Sequence, residues 1–442
     1  MKRLSTIIVV LALGASAAVL NPPADLDPDT GGAVPLEVVG PDINPRFFFC
    51  PWALADGVND TAVTGMSRSV TDYLISLPFN GEISTPGNRP IEADRATSID
   101  ISSLQPVGES SVIVEFGQGP AAADVLAAGS GLAAGDACPT GLPDVWHVGG
   151  GSTADGDRLT LRLFNPFLDV ARVNLTVVSE LGAEAATGFE GVSIPARSTK
   201  TIDIGAVLPG RQSLSVFVDG VDGAVIPALV RSAGGDLAVW SGVEDSETWE
   251  IPLTVDWGLT GSIVLTNSAI LPVGFSIDVF SPEAEVSTPI NGEIPGPGQV
   301  VIPLTDLAEG TVGARITGDG PFGAVVVGVG ENARAAAPGV RNTATQWILP
   351  GVNVDPDAEY RMWVLNTGVD AIVVSYGSTG GAPGGQVEVG AGAVASVDVK
   401  APGTGGLIVE GASPFSVAWS VFSDPGVGYV AGVSVVDIET DG

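Results

Sequence analysis

Three stretches of this chain open on a tryptophan and close on an asparagine at the end of an alternating strand. They run from Trp146 to Asn165, Trp249 to Asn267 and Trp347 to Asn366, spacings of 19, 18 and 19 residues. Each is followed by a turn and a second alternating strand, "ARVNLTVVS", "VGFSIDVFS" and "AIVVSYGS". Each copy ends in runs of valine and small residues, "GAVIPALV", "GAVVVGVG" and "FSVAWSVF". A divergent copy lies upstream, where "ATSIDISSLQPVGESSVIVEFG" parallels "TKTIDIGAVLPGRQSLSVFVDG" and Trp52 is taken as the opening residue. The four tryptophans stand 94, 103 and 98 residues apart, a domain-sized period longer than a solenoid repeat or a single propeller blade.

Within a copy the apolar period is two. Leu159, Leu161 and Leu163 alternate with Arg158, Thr160 and Arg162, the pattern of an antiparallel strand with one face in a core and one in water. About seven such strands per 100 residues, broken by turns, predict an immunoglobulin-like β-sandwich. The expected chain is all-β: a signal segment at 1–17, an acidic Pro-rich linker at 18–45, then four tandem sandwich repeats at 46–143, 144–246, 247–344 and 345–442. A closed ring of blades, two per repeat, is the alternative architecture. Asn165, Asn267 and Asn366 suit turns, because the side chain bonds nearby backbone and tolerates left-handed φ. Trp52, Trp146, Trp249 and Trp347 read as apolar plugs where one domain meets the next. Trp363 falls by alternation on the less buried face, as a surface contact for a sugar ring or, better, an adjoining domain.

The formal net charge of −33, from 51 acidic and 18 basic residues, repels nucleic acid and anionic lipid and keeps a protein soluble. At the N-terminus Lys2 and Arg3 precede an apolar run from Leu4 to Leu13 and the triplet Ala15-Ser16-Ala17, the form of an export signal cleaved after Ala17. An uncleaved run to Leu20 would anchor the chain, the one membrane contact expected. The two cysteines, Cys50 and Cys138, then predict a single disulfide in an exported protein.

The same register argues against catalysis at the chain's one histidine. His147 aligns with Glu250 and Ile348, a position read as free to vary, and no second histidine is present to share a metal. Asp25, Asp27 and Asp29 imitate a calcium loop but put Thr30 where glycine and Leu36 where glutamate are needed. Asp355, Asp357 and Glu359 read as solvated turn acids. The glycine-rich "GSTGGAPGG" precedes no helix, so no nucleotide site is expected. No catalytic, cofactor-binding or metal-binding residue is assigned.

The pattern W-x-x-x-G-G-S-T, L-x-L-x-N-P, V-x-L-T-V and I-P-A-R-S over residues 146–198, with "FFFCPW" and "CPTGLPDVW", resembles actinobacterial secreted proteins known only by a domain of unknown function. The resemblance implies a secreted or cell-envelope location and brings no catalytic residues. The expected function is a non-enzymatic envelope protein, a structural, adhesion or interaction scaffold whose partner is an envelope protein or polysaccharide. The alternative is a protein that binds or cleaves cell-wall glycan.

Overall fold

The leucines of Arg158–Asn165 set the plan of the fold. Leu159, Leu161 and Leu163 face Val173, Leu175 and Val177 of Ala171–Ser179 across one apolar cluster, so two sheets meet face to face. Each such fully buried side chain contributes about 1.5–3 kcal/mol. One sheet runs in the order Gly182–Glu184, Ala171–Ser179, Leu214–Asp222, Val145–Gly151. The other runs Ser198–Asp203, Arg158–Asn165, Ile226–Ala233, Asp236–Ser241, and all pairings are antiparallel.

This computed structural model describes residues 47–435 except 56–60, 80, 105–107, 118, 130–131, 155, 185–186, 234, 254–257, 284–288, 308–310, 353–354, 356, 378–383 and 400–404. The signal segment, the linker and Asp25, Asp27 and Asp29 lie outside the described residues. The described chain is nearly all strand, with helix limited to Ile204–Val207 and two single turns.

The same pairing recurs before and after the segment just described. Phe47–Ala55 through Leu132–Ala137 form two four-stranded sheets. In the third and fourth pairs, Gly313–Val329 and Leu407–Ser423 are 17-residue strands that pass from one sheet into the other.

The last strand of each pair decides how the pairs are arranged. Leu132–Ala137, Asp236–Ser241, Arg334–Pro338 and Gly426–Ala431, the inner strands, pack on one another in a cycle, first on second, second on third, third on fourth and fourth on first. Both faces of each are buried. Ala238 and Trp240 point into their own pair's core, while Val239 joins the core of the first pair. Ala336 joins the second core, and Val427 and Tyr429 join the third. Ala133 of the first pair joins the core of the fourth, which closes the circle. Small residues permit this approach: a Cβ on Gly135 would stand 2.9 Å from Val430 Cγ2. Gly40–Gly442 accordingly forms one compact unit. Tandem repeats left a linear series and a closed ring both open; a strand with core on both faces closes the sheet pairs on one another.

The register also corrects one repeat marker. The backbone of His147 pairs with Val243 and that of Glu250 with Val340, while Ile348 pairs with Val433 and Phe49 N donates to Pro139 O. One residue earlier stand Trp146, Trp249, Trp347 and, in the first pair, Phe48. Trp52 lies within the register shift between Cys50 and Ala53 and points into the first core. It is a core residue and has no counterpart among the other opening tryptophans.

Candidate functional site

The inner strands all run in one direction and end at the mouth of a cavity of about 250 Å³. Phe48, Trp146, Trp249 and Trp347 line it, one from each sheet pair. They are 1–3% exposed and form its walls without presenting free ring faces. Gly242, Gly339 and Gly432 cover the indoles: a Cβ on each would come within 3.0–3.2 Å of Cε3 of Trp146, Trp249 and Trp347. In the first pair this position is Cys138, bonded to Cys50. The expected disulfide is present, and it replaces the glycine-over-indole contact with a covalent one.

Asp136 and Glu244 are the acids that line the cavity, and Arg341 is its basic side chain. Asp136 is buried and accepts a hydrogen bond from Ser241 Oγ at 2.5 Å, across the junction of the first two pairs. Burial pushes its carboxyl up to about 7, against the stabilising bonds from Ser241. Asp124, on the neighbouring strand, accepts from Gly351 N at 2.7 Å, and burial pushes it up to about 8. At the rim, Arg341 pairs with Glu244. Among the described residues no cluster of three or more His, Cys, Asp or Glu is placed to hold a metal ion. Asp355 instead accepts a bond from Asp357 N at 2.9 Å, a turn contact.

The reactive-looking residues lie at the junctions between pairs. His147 is buried, with Nδ1 3.0 Å from Thr266 Oγ1 and Nε2 3.3 Å from Ser268 Oγ in the third pair. Burial lowers its imidazole to about 4, against the attraction of Asp245. Its counterpart Glu250 accepts from Thr367 Oγ1 of the fourth pair at 2.8 Å and from Arg315 Nη2 at 2.6 Å. Ile348 packs on Met66 of the first pair. The position read as free to vary is therefore where each pair meets the next, and its residue type matches its neighbour.

Arg162 and Trp363 hold the complementary slot. Arg162 is 3% exposed and donates to Pro51 O at 3.0 Å and Ser110 O at 3.1 Å in the first pair. Trp363, expected on a less buried face, is 2% exposed and sits in the core of the third pair. The less buried face given by alternation is thus covered by the adjoining pair, the better of the two contacts expected for it, because both faces of this strand meet protein.

The three asparagines do what their side chains suggest. Oδ1 of Asn165, Asn267 and Asn366 accepts from the backbone N of Phe167, Ala269 and Gly368 at 2.9–3.0 Å. Their Nδ2 atoms donate to the carbonyls of Asp169, Leu271 and Asp370 at 2.7–2.8 Å. None has positive φ, so bonding and not left-handed backbone selects them. In the first pair Ser67 fills the slot, its Oγ accepting from Ser69 N at 3.2 Å.

Among known proteins, residues 119–336 match the model of a family of unknown function, DUF5719. The match begins just before the hairpin that holds Asp124 and Asp136, crosses the whole second pair and ends in the inner strand of the third. The resemblance to proteins with a domain of unknown function is thereby confirmed. No curated protein matches the chain. No helix among the described residues is long and apolar enough to cross a membrane, and a formed disulfide is consistent with an oxidising, extracytoplasmic compartment.

Proposed function

We propose that this chain is a non-enzymatic, exported cell-envelope scaffold, built from four copies of an immunoglobulin-like sandwich closed into a ring. The observation that carries the reading is the use made of its reactive side chains. His147, Glu250, Arg162 and Trp363 all join one sheet pair to the next. A histidine held near pKa 4 by burial is a poor general base at neutral pH. Three junctions built this way favour a rigid body that presents surfaces, and the net charge of −33 keeps that body soluble. The glycan alternative loses the exposed indole it called for, since Trp363 is buried.

The test is a pull-down of the purified protein on cell-wall polysaccharide, with a hydrolysis assay on the same material. The scaffold reading predicts no release of sugar, whether or not the polysaccharide is bound. Turnover would contradict it, and its loss in His147→Gln would assign the activity to that residue.

A further inference from the structure

Four turns on one side of the ring carry the same exposed feature. Three residues past the slot of Ser67, Asn165, Asn267 and Asn366 stand Val70, Leu168, Ile270 and Val369, which are 66%, 52%, 85% and 91% exposed. Single exposed aliphatics are ordinary on protein surfaces. Four at one position of four equivalent turns form a pattern, and side-chain bonds from the slot residue hold each turn in shape.

Strand register puts the four tips at the same end. Thr64 pairs with Asp124, which pairs with Ala137 of the inner strand. Arg162, Ala228 and Ser241 repeat this row, as do Val264, Val325 and Pro338, and Trp363, Ala418 and Ala431. The slot lies three residues beyond each row, in the direction in which the inner strands end. The tips therefore surround the end where the cavity opens. Exposed carboxylates accompany three of them, Asp72, Asp169 and Asp370.

We propose that this end of the ring is a docking surface for a cationic polypeptide. Its aliphatic side chains pack on Val70, Leu168, Ile270 and Val369, and its lysines or arginines meet the exposed acids beside the tips, Asp72, Asp169 and Asp370. Charge selects this occupant: an anionic bilayer is repelled by a chain of net charge −33, and a second copy would set acid against acid. Apolar tips supply the contact area that charge alone lacks. The inference rests on the scaffold reading and adds the face and the partner class.

The test compares two synthetic peptides of equal length and charge, one alternating lysine with leucine and one alternating lysine with serine. Each is titrated into the full-length protein at physiological salt, and into a variant carrying Val70→Ser, Leu168→Ser, Ile270→Ser and Val369→Ser. A Leu181→Ser variant serves as control, since Leu181 is 72% exposed but lies on a hairpin at the opposite end. Circular dichroism and melting verify that each variant folds. The proposal predicts that the Lys-Leu peptide binds at least about tenfold tighter than the Lys-Ser peptide. The fourfold variant loses that preference and Leu181→Ser keeps it. Equal binding of the two peptides, or a preference that survives in the fourfold variant, overturns the proposal. So does tip-dependent binding to neutral phosphatidylcholine vesicles without peptide preference, which would assign the tips to lipid. None of these outcomes bears on sugar release, which tests the scaffold reading separately.

Discussion

His147 Nδ1 lies 3.0 Å from the hydroxyl of Thr266, a contact that joins the second sheet pair to the third. The same position is Glu250 at the next junction, where it meets Thr367, and Ile348 at the closing one, where it meets Met66. The chemistry of one sequence position is thus matched each time to the neighbour it touches.

The His147 junction makes stability depend on pH. Its pKa falls from 6.5 to about 4 on folding, so between those values the unfolded chain binds more protons and stability rises with pH. The contribution present above pH 6.5, on the order of 3 kcal/mol, is lost as pH falls toward 4. His147→Gln removes this dependence. Urea unfolding of both proteins at pH 7 and pH 4.5 checks it, and parallel losses in the two would contradict the assignment.

Asp124 acts with the opposite sign. Its carboxyl, pushed up to about 8 by burial, holds a proton in the folded chain that the unfolded chain releases near 3.8. Stability from this group is therefore present at low pH and lost as pH rises through 8. Because the two groups oppose each other between pH 4 and 6.5, single variants are needed to separate them. Asp124→Asn keeps an acceptor for Gly351 N and avoids the buried charge. It melts higher than the parent at pH 9, with a smaller gain at pH 5.

At the first junction, Arg162→Met removes the side-chain donor to Ser110 O, leaves Pro51 O with Ser111 Oγ as its side-chain donor, and breaks the ion pair with Glu109. Losing charge-assisted bonds to buried acceptors costs about 2–4 kcal/mol. Denaturant unfolding checks this, and a change below about 0.5 kcal/mol would return Arg162 to the ordinary surface class.

Much of this was legible in the sequence, for local reasons. The asparagine slots were readable because an asparagine turn is built from its own neighbours, and the disulfide because two cysteines leave one pairing. The choice between a linear series and a closed ring was not readable: Ala133, Gly135, Val239 and Ala336 give the same small, apolar strand signal whatever core they enter. Trp52 was matched to the other tryptophans by residue type, whereas backbone pairing makes Phe48 their counterpart. For Trp363, alternation registers one buried face and is blind to a second, so the contact with an adjoining domain was readable only as the better of two uses for an outward indole.

The disulfide tests how tightly the ring couples its parts. Cys50 and Cys138 close a sequence separation of 88 residues, and removing such a link costs about 2–5 kcal/mol. The first pair packs on both the second and the fourth through its inner strand. Replacing both cysteines with alanine therefore shifts a single unfolding transition. A separate early transition of the first pair, followed by tryptophan fluorescence and circular dichroism together, would contradict this coupling.

Closure of the four sheet pairs through their inner strands is the central claim, and small-angle X-ray scattering of the purified protein tests it most directly. A compact body of roughly 400 residues has a radius of gyration of about 21 Å. Four separate sandwiches in linear series, each of about 100 residues, would give roughly 40 Å. A value near the first, with a scattering profile that fits the ring, is the predicted result; a value near the second would contradict closure.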